Sequence, residues 1–146
     1  MKTFIAFAVK LPFLIDRIEH IHCTNWLEFY GIGAPIIPMI STEQQFAEKL
    51  HSYTLPRQGI NTRAKDLIDL ILLLKSKSQS PESVLYVLQR VFKARNTHPL
   101  PVVLLKPPKS WEQPFAAMAT ECGMSENLND GFIQVSKFYD MLQAMS

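Results

Sequence analysis

The stretch AEKLHSYTLPRQGINTRAKDLIDL, beginning at Ala47, sets Lys49, His51, Arg57, Arg63, Lys65, Asp66 and Asp69 around a helix–loop–helix pattern. On the first predicted helix Lys49 follows the apolar pair Phe46 and Ala47 and precedes Leu50 and Tyr53. On the second, Asp66 and Asp69 are three apart and share a face, while Leu67, Leu70, Ile71 and Leu74 form the opposite stripe. Charges rooted on two helices with apolar backs suit either of two tasks. They hold a polyphosphate, or they lace an amphipathic hairpin together with a solvated face.

Residue types divide the work further. Arg63 and Lys65 open a helix, where the dipole favours anions rather than cations. Their partner is therefore an external anion, or Asp69, four residues after Lys65. Asp66 and Asp69 are the candidate catalytic carboxylates. Hard cations such as Mg²⁺ take carboxylate oxygens, and the alternative is that the two acids orient the basic side chains. His51 lies two residues after Lys49, roughly 200° round a helix, so the two do not share a phosphate from one face. His20 and His22 alternate as strand neighbours do, with Cys23 beside them, but no fourth ligand has a zinc-site spacing and no metal site is assigned. His98, in ARNTHPLP, is structural, with Arg95 a candidate anion contact. Trp26, Trp111 and Phe115 are core anchors.

These side chains need a scaffold, and the sequence implies an α+β, mostly helical domain with a short N-terminal strand region. Residues 3–9 and 11–15 are β-branched and aromatic, with Pro12 marking an edge or a break. Residues 31–40 (GIGAPIIPMI) form an extended connector. A helix starts near Ser41 or Thr42, with Gln44 or Gln45 at the capping-box position, and ends before Pro56. Asn61 or Thr62 caps the next helix, which runs to about Lys75. Ser80-Pro81 opens a third, with Val84, Val87, Leu88, Val91 and Phe92 inward. Prolines at 99, 101, 107 and 108 forbid a long helix over 96–109. A helix opened at Ser110 is closed by Gly123, and Leu128, Phe132, Val135, Phe138, Tyr139 and Leu142 mark the last. With no repeat, low-complexity tract or linker, residues 1–146 read as one domain, divided into a strand and connector region (1–40) and a helical region (41–146).

Composition narrows the class. Hydrophobic residues make up 47% and charged residues 19%, as in a globular protein rather than a disordered one. A chain of 146 residues buries roughly two-thirds of its unfolded surface. A net charge of +2 demands no nucleic-acid partner. Cys23 and Cys122 fit neither a metal spacing nor a disulfide framework, which points to a reducing compartment. The apolar run Phe4 to Val9 is short for a signal peptide, and no run approaches the ~20 residues of a membrane span. A cytoplasmic location is expected.

AEKLH and TRAKDLIDLILLL resemble two motifs of the AbiEii/AbiGii toxin family of nucleotidyltransferases, the toxin half of bacterial toxin–antitoxin and phage-defence systems. The resemblance continues through FKARNTHPLP (92–101) and PPKSWEQPFAAMA (107–119) into the last helix, covering about residues 38–146. It implies that the complete enzyme moves a nucleotide from an NTP, with Mg²⁺, to an RNA acceptor, and that an antitoxin restrains it. On that resemblance Lys49, Arg63 and Lys65 bind nucleotide phosphates, and Asp66 and Asp69 orient them. The departure is large. Family members carry a glycine pair and an Asp-x-Asp motif, and these residues contain no Gly-Gly, Gly-Ser or Asp-x-Asp. The chain thus resembles the C-terminal portion of a family member without its metal-binding half, completed by a second chain or by self-association. The alternatives are an inactive nucleotide- or RNA-binding module and a vestigial protein. Asp16 ends an apolar run where a nucleotidyltransferase strand delivers a carboxylate, but one acid builds no two-metal site, and a surface role is expected.

Overall fold

The computed structural model describes residues 17–23, 28–58, 63–76 and 80–146. The strands expected over 3–9 and 11–15, Asp16, Trp26, and the caps expected at Asn61 or Thr62 all lie outside them.

Helix α1 spans Thr42–Thr54. Ser41 caps it, its hydroxyl oxygen accepting from the Gln44 amide at 3.2 Å. The reciprocal half of the expected capping box is pre-empted. The Ser41 amide already donates to the Arg17 carbonyl at 3.1 Å, and the Gln45 side-chain amide donates to the Ile40 carbonyl at 2.9 Å. The helix stops at Leu55, held extended ahead of Pro56.

Helix α2 spans Ala64–Lys75, with Arg63 at the N-cap position and no side-chain cap. Leu67, Leu70 and Ile71 are buried as expected, but so are Ile68, Asp66 and Asp69. A helix apolar on one face and acidic on the other is thus buried on both. The reason is its position: α1 packs on one side of it, α4 and α5 on the other. The face carrying Asp66 and Asp69 meets α1 instead of open solvent.

Helix α3, Pro81–Arg95, is capped by Ser80, whose hydroxyl oxygen accepts from the Ser83 amide at 3.1 Å. It packs chiefly on α1 and ends at Asn96 in the left-handed conformation. The proline-rich segment after it contains no helix, as expected. Two buried phenols hold it down: Tyr53 donates to the Leu105 carbonyl at 2.8 Å, and Tyr139 donates to the Pro101 carbonyl. A 3₁₀ turn over Lys109–Trp111 leads into α4, Glu112–Glu121. Gly123, at φ +62°, closes α4. Its amide reaches the Thr120 carbonyl and the Met124 amide the Ala119 carbonyl, the paired bonds of a Schellman end. Helix α5, Leu128–Ala144, is capped by the Asn127 side chain. Phe46, Leu50, Leu67, Leu88, Trp111, Phe115 and Tyr139 anchor the core shared by all five helices.

The connector at 31–40 differs from expectation. Ile36–Ile40 is a strand, β2, paired antiparallel with β1, Ile18–His22. Pro38 sits opposite His20, a position open to proline because a two-stranded ribbon has only edges. Ile18, Ile21, Ile32, Ile36 and Ile37 remain exposed along this ribbon and its connection, as do Phe29 and Tyr30. The architecture is α+β and mostly helical.

Candidate functional site

Helix periodicity puts Lys49 and Ser52 on one face of α1 and Asp66 and Asp69 on the facing side of α2. Lys49 Nζ stands 2.6 Å from Asp69 Oδ2 and 3.2 Å from Asp66 Oδ1. Asp66 Oδ2 accepts from the Ser52 hydroxyl at 2.9 Å and meets Arg63 Nη1 at 3.2 Å. Side-chain exposure is 14% for Lys49, 11% for Asp66 and 3% for Asp69, so the centre of the cluster is largely shielded from water. Asp69 Oδ2 has no partner with hydrogen-bond angles. Its short contact with Lys49 is a charge contact rather than an aligned bond.

Four of the five residues singled out in the sequence therefore converge: Lys49, Arg63, Asp66 and Asp69. Lys65 does not. It is exposed on α2 and forms no ion pair among the described residues. Asp69 pairs with Lys49 across the helix interface instead of with Lys65 on its own helix, because its carboxylate faces α1. Ser52 was missed, although its place three residues after Lys49 puts it on the same face.

Among the described residues the cluster sets two cations against two carboxylates. Mg²⁺, implied by the family resemblance, does not fit this donor set. Both carboxylates already face an ammonium, and a hard cation would have to displace it from oxygen ligands it needs for itself. No metal-dependent step is assigned to Asp66 or Asp69.

The remaining candidates are placed elsewhere. His51 turns away from Lys49 and packs on His98 and Phe92, with ring centroids 4.7 and 5.0 Å apart. Arg95 Nη2 meets Glu48 Oε2 at 2.8 Å, so its anion belongs to α1 of the same chain. Trp111 and Phe115 are buried anchors. His20 and His22 share a face of the exposed ribbon, opposite Pro38 and Ile36.

A family model described as "Nucleotidyl transferase AbiEii toxin, Type IV TA system" matches residues 8–142. The chain belongs to the AbiEii toxin family. The match begins at residue 8, so the family relationship reaches further toward the N-terminus than the motifs from residue 38 onward indicated. Membership of a Type IV toxin–antitoxin family implies an antitoxin as partner of this AbiEii chain. No curated protein matches it. Among the described residues, no helix is long and apolar enough to cross a membrane.

Proposed function

We propose that this AbiEii-family chain supplies the helical, phosphate-facing part of a nucleotide transfer from an NTP to an RNA acceptor. Lys49 is the phosphate contact, a compact charge on a flexible stem. Asp66 and Asp69 orient it, Arg63 and Ser52 hold Asp66, and exposed Lys65 adds charge at the rim. The carboxylates that hold Mg²⁺ come from residues other than these 146, since no Asp-x-Asp pair occurs among them. The observation that carries this reading is the convergence of Lys49, Asp66, Asp69 and Arg63 from two helices.

Titration with GTP and ATP tests it. Binding should be weak, high micromolar or poorer, because each charge-assisted contact contributes only about 1.5–3 kcal/mol, and it should fall with salt. Lys49→Ala should abolish it and Lys109→Ala, on the exposed 3₁₀ turn, should not. Asp66→Ala should weaken binding by loosening Lys49 and Arg63, which Asp66 helps to hold; stronger binding would mean Asp66 only repels the phosphates. With labelled NTPs, Mg²⁺ and total tRNA this chain alone should give no labelled product, whereas Mg²⁺-dependent labelling would place the acids within it.

One observation favours a second reading. Lys49 is matched by two carboxylates, one of them 97% buried by its 3% exposure, as in a clasp that joins α1 to α2 without a ligand. Equal triphosphate binding by the wild type and Lys49→Ala would select it.

A further inference from the structure

We propose that His51, Thr97, His98 and Thr54 form an acid-released latch that fastens the last turn of α1 to the segment following α3. The latch is a chain of hydrogen bonds with one consistent direction. Thr54 Oγ1 lies 3.0 Å from the Leu50 carbonyl and 3.3 Å from the His51 carbonyl, and its only hydrogen is donated to these acceptor-only groups. It therefore accepts from His98 Nε2, 2.8 Å away. With Nε2 as the donor, neutral His98 offers Nδ1 as an acceptor, and Thr97 Oγ1 donates to it across 3.0 Å. Thr97 is then left to accept from His51 Nε2 at 2.8 Å. Both imidazoles are assigned by this network as neutral Nε2–H tautomers.

Protonation breaks the chain at unequal cost. On His98 the new Nδ1–H faces Thr97, whose exposed hydroxyl can turn its hydrogen to water and accept instead. On His51 the new proton goes to Nδ1, a ring atom with no acceptor among the described residues, in a residue 7% exposed. The groups facing it are also unfavourable. His98 stands over it from the loop, and Arg95 from the last turn of α3 and Arg63 from the start of α2 add positive charge, while Glu48 on α1 is already paired with Arg95. Burial first, then these cations, lowers the His51 pKa to about 4, and burial lowers that of His98. Charging His51 therefore favours the open arrangement, in which the ring reaches water. The segment released is one wall of an open cavity of about 580 Å³ lined by Phe92, Lys93, Thr97 and His98, so opening the latch extends that cavity toward the His51 face of Phe92.

Native-state hydrogen exchange on the intact chain between pH 7.5 and 4.5, corrected for intrinsic exchange, tests the latch. Opening at the amides of His51–Thr54 and at Asn96 should rise by up to about tenfold per pH unit below 6.5, the slope for uptake of one proton. Amides of Val135–Tyr139 in α5 should not follow, and parallel acceleration there would replace the latch by global acid unfolding. His51→Gln keeps a donor toward Thr97 without a titrating ring and should flatten the profile; an unchanged slope overturns the proposal. Should that variant fail to fold, Thr97→Val, at an exposed residue, should open the same amides several-fold more often at pH 7.5, and no change overturns it. Imidazole ¹⁵N shifts give an independent check, since an Nδ1–H tautomer or an ordinary titration at His51 would contradict the network.

Discussion

Lys49 meets Asp69 where both are almost wholly withdrawn from water, so desolvation weighs as heavily as attraction. Removing one partner is the harsh change, because it strands the other charge. Lys49→Ala should lower stability by about 3–5 kcal/mol, measured by urea unfolding. The pair Lys49→Met with Asp69→Leu, which removes both charges at similar volume, should recover most of that loss, ending within roughly 1 kcal/mol of the wild type. A double variant as unstable as Lys49→Ala would mean the site depends on polar geometry beyond charge balance. Asp66 differs, being also held by Ser52 and Arg63, so its loss loosens Arg63 as well as Lys49, which keeps Asp69.

At the scale of elements, α5 meets α2 and α4 closely at Gly131. A Cβ on Gly131 would stand 2.8 Å from Ile71 Cδ1 and 2.8 Å from Phe115 Cζ. Gly131→Ala gains about 1 kcal/mol of helix propensity but overpacks a filled interface at a cost of about 1–3 kcal/mol. The expected net loss is about 1 kcal/mol, a fall of roughly 3 °C in Tm. A rise would show that the Ile71 and Phe115 side chains swing aside. The α1 to α3 junction should also carry an acid dependence. The unfolded chain takes up the His51 proton below pH 6.5, while the folded chain refuses it until about pH 4. Stability from this residue is therefore complete above pH 6.5 and lost as pH falls through that window, by up to about 3 kcal/mol. Thermal melts of the wild type and His51→Gln across these pH values measure it.

For the whole molecule, the β1–β2 ribbon is the part least supported by the core. A two-stranded ribbon is marginal by itself, and Ile18 is 51% and Ile36 54% exposed. Among the described residues nothing covers this apolar surface, and a second copy of the chain seated on it would account for such residues better than solvent does. The apolar N-terminal run with Phe4, Ile5 and Phe7 is a further candidate for self-association but lies outside the described part, and within it the candidates are Ile21 and Ile37, directly opposed across the strands. Sedimentation at high concentration should show association of the wild type, reduced by Ile21→Thr with Ile37→Thr, which keeps strand propensity while removing apolar surface. A wild-type monomer with no dye binding to apolar surface would count against it.

Local signals were enough for most helix ends, though α2 begins after Arg63 without a side-chain cap instead of under the expected Asn61 or Thr62 cap. Ser41, the Ser80-Pro81 pair and Gly123 act through their own backbone neighbours, so caps and stops could be read residue by residue. The AEKLH and TRAKDLIDL motifs marked the charged cluster for the same reason, since three- and four-residue spacings place charges on a helix face whatever surrounds it. What could not be read locally was the partner of each group. Asp69 lies four residues from Lys65 yet pairs with Lys49, twenty positions earlier in the numbering. The Ser41 amide is taken by Arg17 rather than by a capping-box glutamine, and Ile36–Ile40 becomes a strand only because Ile18–His22 lies beside it. His51 and His98 looked unremarkable apart and form a network only where α1 meets the end of α3. Side-chain spacing determines which face a residue occupies; packing decides whether that face meets water, an opposite charge or another ring, and the chemistry follows from that neighbour.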